Sequence, residues 1–269
     1  MASLNEEESV RHGGSSEPDN KWVLLPISGI ENPCLCYPNE HNKQYPAVLT
    51  SVAVNTIRGQ IVAADEGGYL YITDIDQQKS IASQCCSPSA INCIQFANND
   101  TIASVSMSGQ LMLWDTRDLR TVSYATTLPR KHGALMTLAV HPFRNHIFAT
   151  GTEYGTVAIW DIRGGNSKKS NNNRVHQQRN PYKILHAHDK DTLVNDIKFL
   201  TNNANTINGL VTCGNDGIAQ IFESEEDEWN ANSTPIQEDR YAVTSVDFNE
   251  QLNVVITSCD SQKLSFLPI

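Results

Sequence analysis

The stretch LMTLAVHP (Leu135–Pro142) followed by HIFATGTEYGTVAIWDIR (His146–Arg163) decides the fold. In an extended chain alternate side chains share a face, so Leu138 and Val140 lie together on one strand. Val157 and Ile159 lie together on another, with Trp160 turned to the opposite face. Gly155 between them suits a tight turn in which a positive φ carries little steric penalty. Three short strands joined by two turns follow, apolar on both faces. So small a sheet cannot bury both faces alone and needs a neighbour on each side.

The neighbours are in the same chain. VLTSVAVN with QIVAADEGGYLYITDI (Val48–Ile75) and INCIQFAN with TIASVSMSGQLMLWDT (Ile91–Thr116) precede it. VNDIKFL with NGLVTCGNDGIAQIFES (Val194–Ser224) and VTSVDFN with NVVITSCDSQKLSFLPI (Val243–Ile269) follow. Gly68, Gly109, Gly155 and Gly217 hold one place in each unit and Gln262 takes it in the last, at spacings of 41, 46, 62 and 45. A period of about 40–45 residues marks propeller blades, each leaning on the next. The unit 135–162 reads as the best preserved. The long interval holds RGGNSKKSNNNRVHQQRNPYK, polar and free of acidic residues, so a mobile basic loop is expected over 163–183.

Composition narrows the classes. The chain has 269 residues, 39% hydrophobic and 19% charged, enough for one all-β core without disulfide or metal staples. A net charge of −10 repels a phosphate backbone and argues against a nucleic-acid partner. Cys34, Cys36, Cys85, Cys86, Cys93, Cys213 and Cys259 form an odd set without a CxxC pair, as in a reduced compartment, cytosol or nucleus. No apolar run approaches the roughly 20 residues of a membrane-spanning helix, and the start carries Glu6, Glu7 and Glu8 rather than a secretory leader. The expectation is a soluble, unsecreted protein with a disordered acidic tail over 1–20 and one folded region over 21–269.

The endings Trp114-Asp115 and Trp160-Asp161, at a fixed distance after the glycine turn, resemble the WD-repeat family over Val48–Ile269. The resemblance implies an all-β propeller and a structural network of a His, a Ser or Thr, an Asp and the Trp. Carried over residue by residue, it falls on His132, Thr150 and Trp160, with Tyr154 at the Asp position. It falls next on His188, Thr212 and Asp216, with Phe222 at the Trp position, and on Ser104 and Trp114, with Ser108 at the turn. Ala63 and Thr257 stand at the second-strand place of the first and last units.

Within that family, LMTLAVHPFRNHIFATGTEYGTVAIWDIRGG, KILHAHDKDTLVNDIKF and the final VTSVDFNEQLNVVITSCDSQKLSFLPI are similar to the small WD-repeat nucleoporins of the Y-shaped scaffold complex of the nuclear pore. That resemblance implies a non-enzymatic scaffold binding other nucleoporins at the nuclear envelope and serving protein and mRNA transport, with a kinetochore location in mitosis as a further expectation. Such a relative has seven blades, whereas five are recognisable here. Three readings stay open: a compact ring closed through Trp22–Ile27 (WVLLPI) as an added outer strand, an open arc capped by a partner, or an incomplete form of a larger ring.

Candidate chemistry is sparse. His186-Ala187-His188 has no third metal ligand at a convincing spacing, and the cysteines read as free thiols. Neither a phosphate loop nor a nucleophile elbow occurs. No catalytic residue, cofactor, metal or small-molecule substrate is assigned. Lys168, Lys169, Arg174, Arg179 and Lys183 make a basic loop, and Glu223–Glu228 (ESEEDE) an acidic connection, both read as solvated. Trp229 and Tyr241 flank that connection as candidate partner contacts or, equally, as packing residues. Arg117 and Arg163, ending the WDTR and WDIR runs, resemble the motif by which some WD-repeat proteins dock a cullin-type ubiquitin ligase adaptor; a substrate receptor of such a ligase is the alternative reading.

Overall fold

The computed structural model describes residues 48–163, 180–201, 207–225 and 228–269. The tail expected over 1–20, the strand expected at Trp22–Ile27, and Cys34 and Cys36 lie outside them. So do Lys168, Lys169, Arg174 and Arg179 of the expected basic loop, and part of ESEEDE.

Within the described residues the chain forms five antiparallel sheets in sequence order. The first holds β1 (Leu49–Asn55), β2 (Gln60–Asp65), β3 (Tyr69–Asp74) and β4 (Lys79–Cys85). The second holds β5 (Ile91–Phe96), β6 (Thr101–Ser106), β7 (Gln110–Asp115) and β8 (Asp118–Thr127). The third holds β9 (Leu135–Val140), β10 (Ile147–Thr152), β11 (Thr156–Asp161) and β12 (Lys183–His186). In the fourth are β13 (Val194–Thr201), β14 (Ile207–Gly214), β15 (Ile218–Glu225) and β16 (Glu228–Glu238). The fifth has three strands, β17 (Val243–Asn249), β18 (Val254–Cys259) and β19 (Lys263–Pro268).

The three strands expected of each unit therefore gain a fourth in four sheets. β4 and β16 are largely open to solvent, so their sequences lack the apolar alternation that makes the inner strands readable.

Four hydrophobic clusters join consecutive sheets. One packs Val62, Ala64, Leu70 and Ile72 of the first sheet on Ile91, Ile94, Ile102 and Trp114 of the second. The next sets Val105, Leu111 and Leu113 against Leu138, Phe148 and Trp160. Val157, Ile159 and Leu185 of the third sheet then meet Ile197, Leu210 and Phe222 of the fourth, and Val211 and Ala219 meet Val243, Val246 and Val255 of the fifth. Leu138 belongs to the cluster with the second sheet, whereas Val157 and Ile159 face the fourth, so the third blade is covered on both sides, as its two-faced apolar pattern requires. No cluster joins the fifth sheet to the first among the described residues. Val52 (64% exposed) at one end of the arc and Phe266 (66%) at the other stay open to solvent.

Polar side chains stitch the same seams along the innermost strands. In three blades the second residue of the first strand reaches the first carbonyl of the next blade's first strand: Thr50 donates to the Ile91 carbonyl, Asn92 Nδ2 to Leu135 at 2.7 Å, and Asn195 Nδ2 to Val243 at 2.8 Å. Met136 occupies that position in the third unit. Thr244 holds it in the fifth, and there it bonds within its own sheet, to Ser258 Oγ at 2.8 Å.

The turn residues explain why glycine recurs. Gly68, Gly109, Gly155 and Gly217 have φ of +84°, +73°, +71° and +81°, and Gln262 has +62°. Each glycine carbonyl also accepts a backbone N–H from the segment ending the fourth strand: Cys86, Leu128, Ala187 and Asp239 respectively. That bond draws the outer segment so close that a Cβ on Gly155 would sit 2.4 Å from the Asp189 carbonyl oxygen, and one on Gly217 2.1 Å from that of Asp239. Among the described residues no fourth strand of the fifth sheet presses on this turn, and the Gln262 side chain is exposed.

Gly155→Ala should therefore destabilise the fold by about 2 kcal/mol or more, the left-handed strain adding to a clash with backbone. Gln262→Gly should stabilise it by about 1 kcal/mol by releasing strain alone. Urea unfolding of the two variants reads both signs, and a neutral Gly155→Ala would contradict this account of the turn.

Candidate protein-interaction surface

The tryptophans that end β7 and β11 are buried, and each indole N–H needs an acceptor. Trp114 Nε1 donates to Ser104 Oγ at 3.0 Å and Trp160 Nε1 to Thr150 Oγ1 at 2.9 Å. Ser104 and Thr150 lie on β6 and β10, next to the tryptophan strands, so the bonds tie neighbouring strands inside one blade.

In the fourth blade the network runs through a histidine. An ionised Asp216 only accepts, so His188 Nδ1 carries the proton it shares with Asp216 at 3.0 Å. Nε2 lies within hydrogen-bonding distance of Thr212 Oγ1, at 3.1 Å. Burial acts to raise the Asp216 pKa, but the His188 bond and charge and the Asp189 and Ile218 N–H groups outweigh it and hold the carboxyl below its ordinary value. The chain stops at Thr212, because Phe222 has no indole to add.

The third blade departs from the pattern expected of it. His132 Nδ1 meets Thr156 Oγ1 at 3.3 Å rather than Thr150, and Thr156 is bonded to Thr152 at 2.9 Å. With Tyr154 in the Asp position no carboxylate pairs with the ring, and burial, with Lys131 adding, lowers the His132 pKa. In the first blade a buried carboxylate does the same work without a histidine: Asp65 accepts the Tyr71 hydroxyl at 2.7 Å and the Tyr69 N–H at 2.8 Å. The sequence reading passed over Asp65, whose signal was an acid three residues before the turn glycine Gly68. Thr257 of the fifth blade is bonded to Gln237 of the fourth.

Both ring nitrogens of His188 are thus occupied, while His186 points outward from β12, so HAH offers no paired ligands. Cys85, Cys86, Cys93, Cys213 and Cys259 are thiols. Burial pushes the Cys86 thiol up to about 12 and also raises Cys93 and Cys213. Such groups stay protonated and are poor nucleophiles.

The four residues singled out for partner contact do not form one patch. Arg117 forks onto Asp115, with Nε at 2.8 Å, and these bonds pull the Asp115 carboxyl down to about 2. Arg163 pairs with Asp161 in the same way, Nη2 at 3.2 Å. There burial acts to raise the Asp161 pKa, and the Arg163 bonds outweigh it. Both arginines are exposed at equivalent corners of the second and third blades. Tyr241 is exposed, whereas Trp229 is buried, its ring 6.1 Å from Phe199, which lies 5.3 Å from His141. Of the four, Arg163 and Trp229 come together, lining one cavity with Tyr182 between the third and fourth blades.

Consecutive antiparallel blades seamed by apolar faces, with indole–hydroxyl bonds closing the second and third, make a β-propeller type of fold. The WD40 family profile (WD domain, G-beta repeat) matches residues 78–115 and 179–223, each span taking the outer strand of one blade with three strands of the next. The unit 135–162, read as best preserved, lies outside both spans. The chain is 24% identical to mouse nucleoporin Nup43 over 170 residues, covering 62% of this chain and 40% of that protein. It is 25% identical to human nucleoporin Nup43 over 183 residues, covering 67% and 43%. The match thus spans about two fifths of the length of these relatives. In fold it is similar to a chain of a structure described as the mitotic checkpoint complex, with a TM-score of 0.65 at 13% identity, covering 84% of this chain and 63% of that one.

The buried Asp216 gives stability an acid limb. Its pKa is lowered in the fold, so the stability it contributes is present above the ordinary carboxylate value and is lost as pH falls through the depressed one. Asp216→Asn should cost about 1–3 kcal/mol near neutrality, and the gap between variant and parent should narrow below about pH 4. Chemical denaturation at several pH values measures it; a gap that widens in acid would contradict the network.

Proposed function

We propose that the chain is a non-enzymatic scaffold subunit of the outer ring of the nuclear pore complex, bound to other nucleoporins of the Y-shaped complex at the nuclear envelope and supporting nucleocytoplasmic transport. The observation that carries this reading is the similarity to mouse and human nucleoporin Nup43 over 62–67% of the chain, joined to the propeller fold. The polar chemistry agrees. The best-connected groups, Asp216, His188 and Thr212, are spent on one another inside a blade. What the blades offer outside is a rigid set of loops and corners, which suits binding rather than turnover.

One observation favours a second reading. Asp115–Arg117 and Asp161–Arg163 repeat the same exposed ion pair on adjacent blades, as docking onto a cullin-type ligase adaptor would use. Affinity purification of the tagged full chain separates the two. Enrichment of Y-complex nucleoporins, with the tagged chain at the nuclear rim, is expected. Enrichment of ligase adaptor without nucleoporins, lost in an Arg117→Ala, Arg163→Ala double variant, would overturn the nuclear-pore reading.

A further inference from the structure

The outer strand of the third blade is short. β12 pairs with β11 only from Thr156↔His186 to Ile159↔Lys183, and Tyr182 N–H closes the ladder on the Ile159 carbonyl at 2.7 Å. Trp160 and Asp161, which end β11, therefore have no β12 residue opposite them. The sister blades are covered at this place: β8 sets Val122 against Trp114 and Asp118 against Asp115, and β16 sets Ser233 against Phe222 and Trp229 against Ser224.

Peptide groups alternate sides along an antiparallel strand. Ile162 N–H bonds inward to the His146 carbonyl, while the Ile159 carbonyl bonds outward to Tyr182. The peptide groups of Asp161 consequently point to the outer side, where no strand among the described residues pairs with them, an edge of the kind that recruits another strand.

A cavity of about 190 Å³ opens at the same place, with Ile147, Ile159 and Trp229 lining it and Asp161, Arg163 and Tyr182 also at its wall. It is smaller than the roughly 300–1,000 Å³ of small-molecule sites and fits a single side chain. Its two charged groups neutralise each other across 3.2 Å, and Tyr182 is 61% exposed, so the opening is neutral and rich in apolar surface. Residues directly opposite in an antiparallel pair project to the same face. Asp161 shares the face of Val157 and Ile159, which look toward the fourth blade. A residue paired opposite Asp161 would thus send its side chain into the cavity.

We infer that this corner is a peptide-docking site: an extended segment of a partner protein adds to the β11 edge beside Asp161 and places one neutral apolar or aromatic side chain in the cavity under Tyr182. Strand addition supplies main-chain affinity and the cavity supplies selection. The inference rests on the binding-platform reading above but not on the nuclear-pore assignment. A chain that fails to enrich nucleoporins yet binds peptide here would refute that assignment and leave this site standing.

The test is selection of phage-displayed random dodecapeptides on the full chain, with fluorescence titration of the recovered peptides. The expected result is a shared apolar residue within an extended, proline-free stretch. Binding should weaken at least tenfold in Tyr182→Ala and in Asp161→Pro, which removes only an outward N–H and is tolerated at an edge. Arg117→Ala, at the covered corner of the second blade, should bind as the parent does, and all three variants should unfold at the parent temperature. Recovery of no peptide, peptides without a common apolar position, or equal binding by both edge variants would overturn the inference. So would binding that appears only after deletion of residues 166–177, which would make this chain's own insert the occupant.

Discussion

Blade-on-blade contact is the constraint on which everything else in this molecule depends. A three- or four-stranded sheet with apolar residues on both faces has no stable existence in water by itself. Burying one Leu, Ile or Phe side chain contributes about 1.5–3 kcal/mol, whereas ordering each residue costs about 1–2 kcal/mol of backbone entropy. Only seams such as Val105, Leu111 and Leu113 against Leu138, Phe148 and Trp160 offset that cost, and each middle blade takes part in two of them. The polar bonds serve this packing. Thr50, Asn92 and Asn195 satisfy the carbonyls that open the next inner strands, and Ser104 and Thr150 satisfy indoles that the seams bury.

The same constraint accounts for the positions that break the repeat. Gln262 replaces glycine where no outer strand among the described residues presses on the turn. Thr244 folds back on Ser258 within its own sheet. Phe222 ends the fourth blade's polar chain at Thr212, and the carboxylate of Asp216 rather than an indole completes it. The corner proposed for peptide docking arises likewise from a local shortfall, because β12 stops pairing at Lys183 and, among the described residues, leaves Asp161 of β11 without an outer partner.

Most of the fold was legible because inner strands alternate and turn glycines recur, both direct consequences of two-sided burial. The outer strands were not, since β4 and β16 face water and carry no apolar period. Of the polar networks, the Trp160–Thr150 and His188–Asp216–Thr212 contacts follow residue types at fixed places. The His132–Thr156 contact depends on where a single turn, Arg130–His132, delivers the ring, which no pattern encodes. Arg163 and Trp229 were separately visible as candidates. Their meeting across the third seam needs the register of two blades, and the bare strand edge beside them needs the length of a third strand that the sequence leaves unmarked. The proposed platform role fits such a body, in which His188, Asp216 and Thr212 are spent on one another inside a blade.

If the seams hold the molecule, protection must rise where a blade has a seam on each side. Hydrogen–deuterium exchange of the native chain measures this directly. Strands β5, β9 and β13 should exchange most slowly, and β1, β17 and β19, in blades seamed on one side, distinctly faster. Uniform protection across all five sheets, or slowest exchange in the first and fifth, would contradict the account.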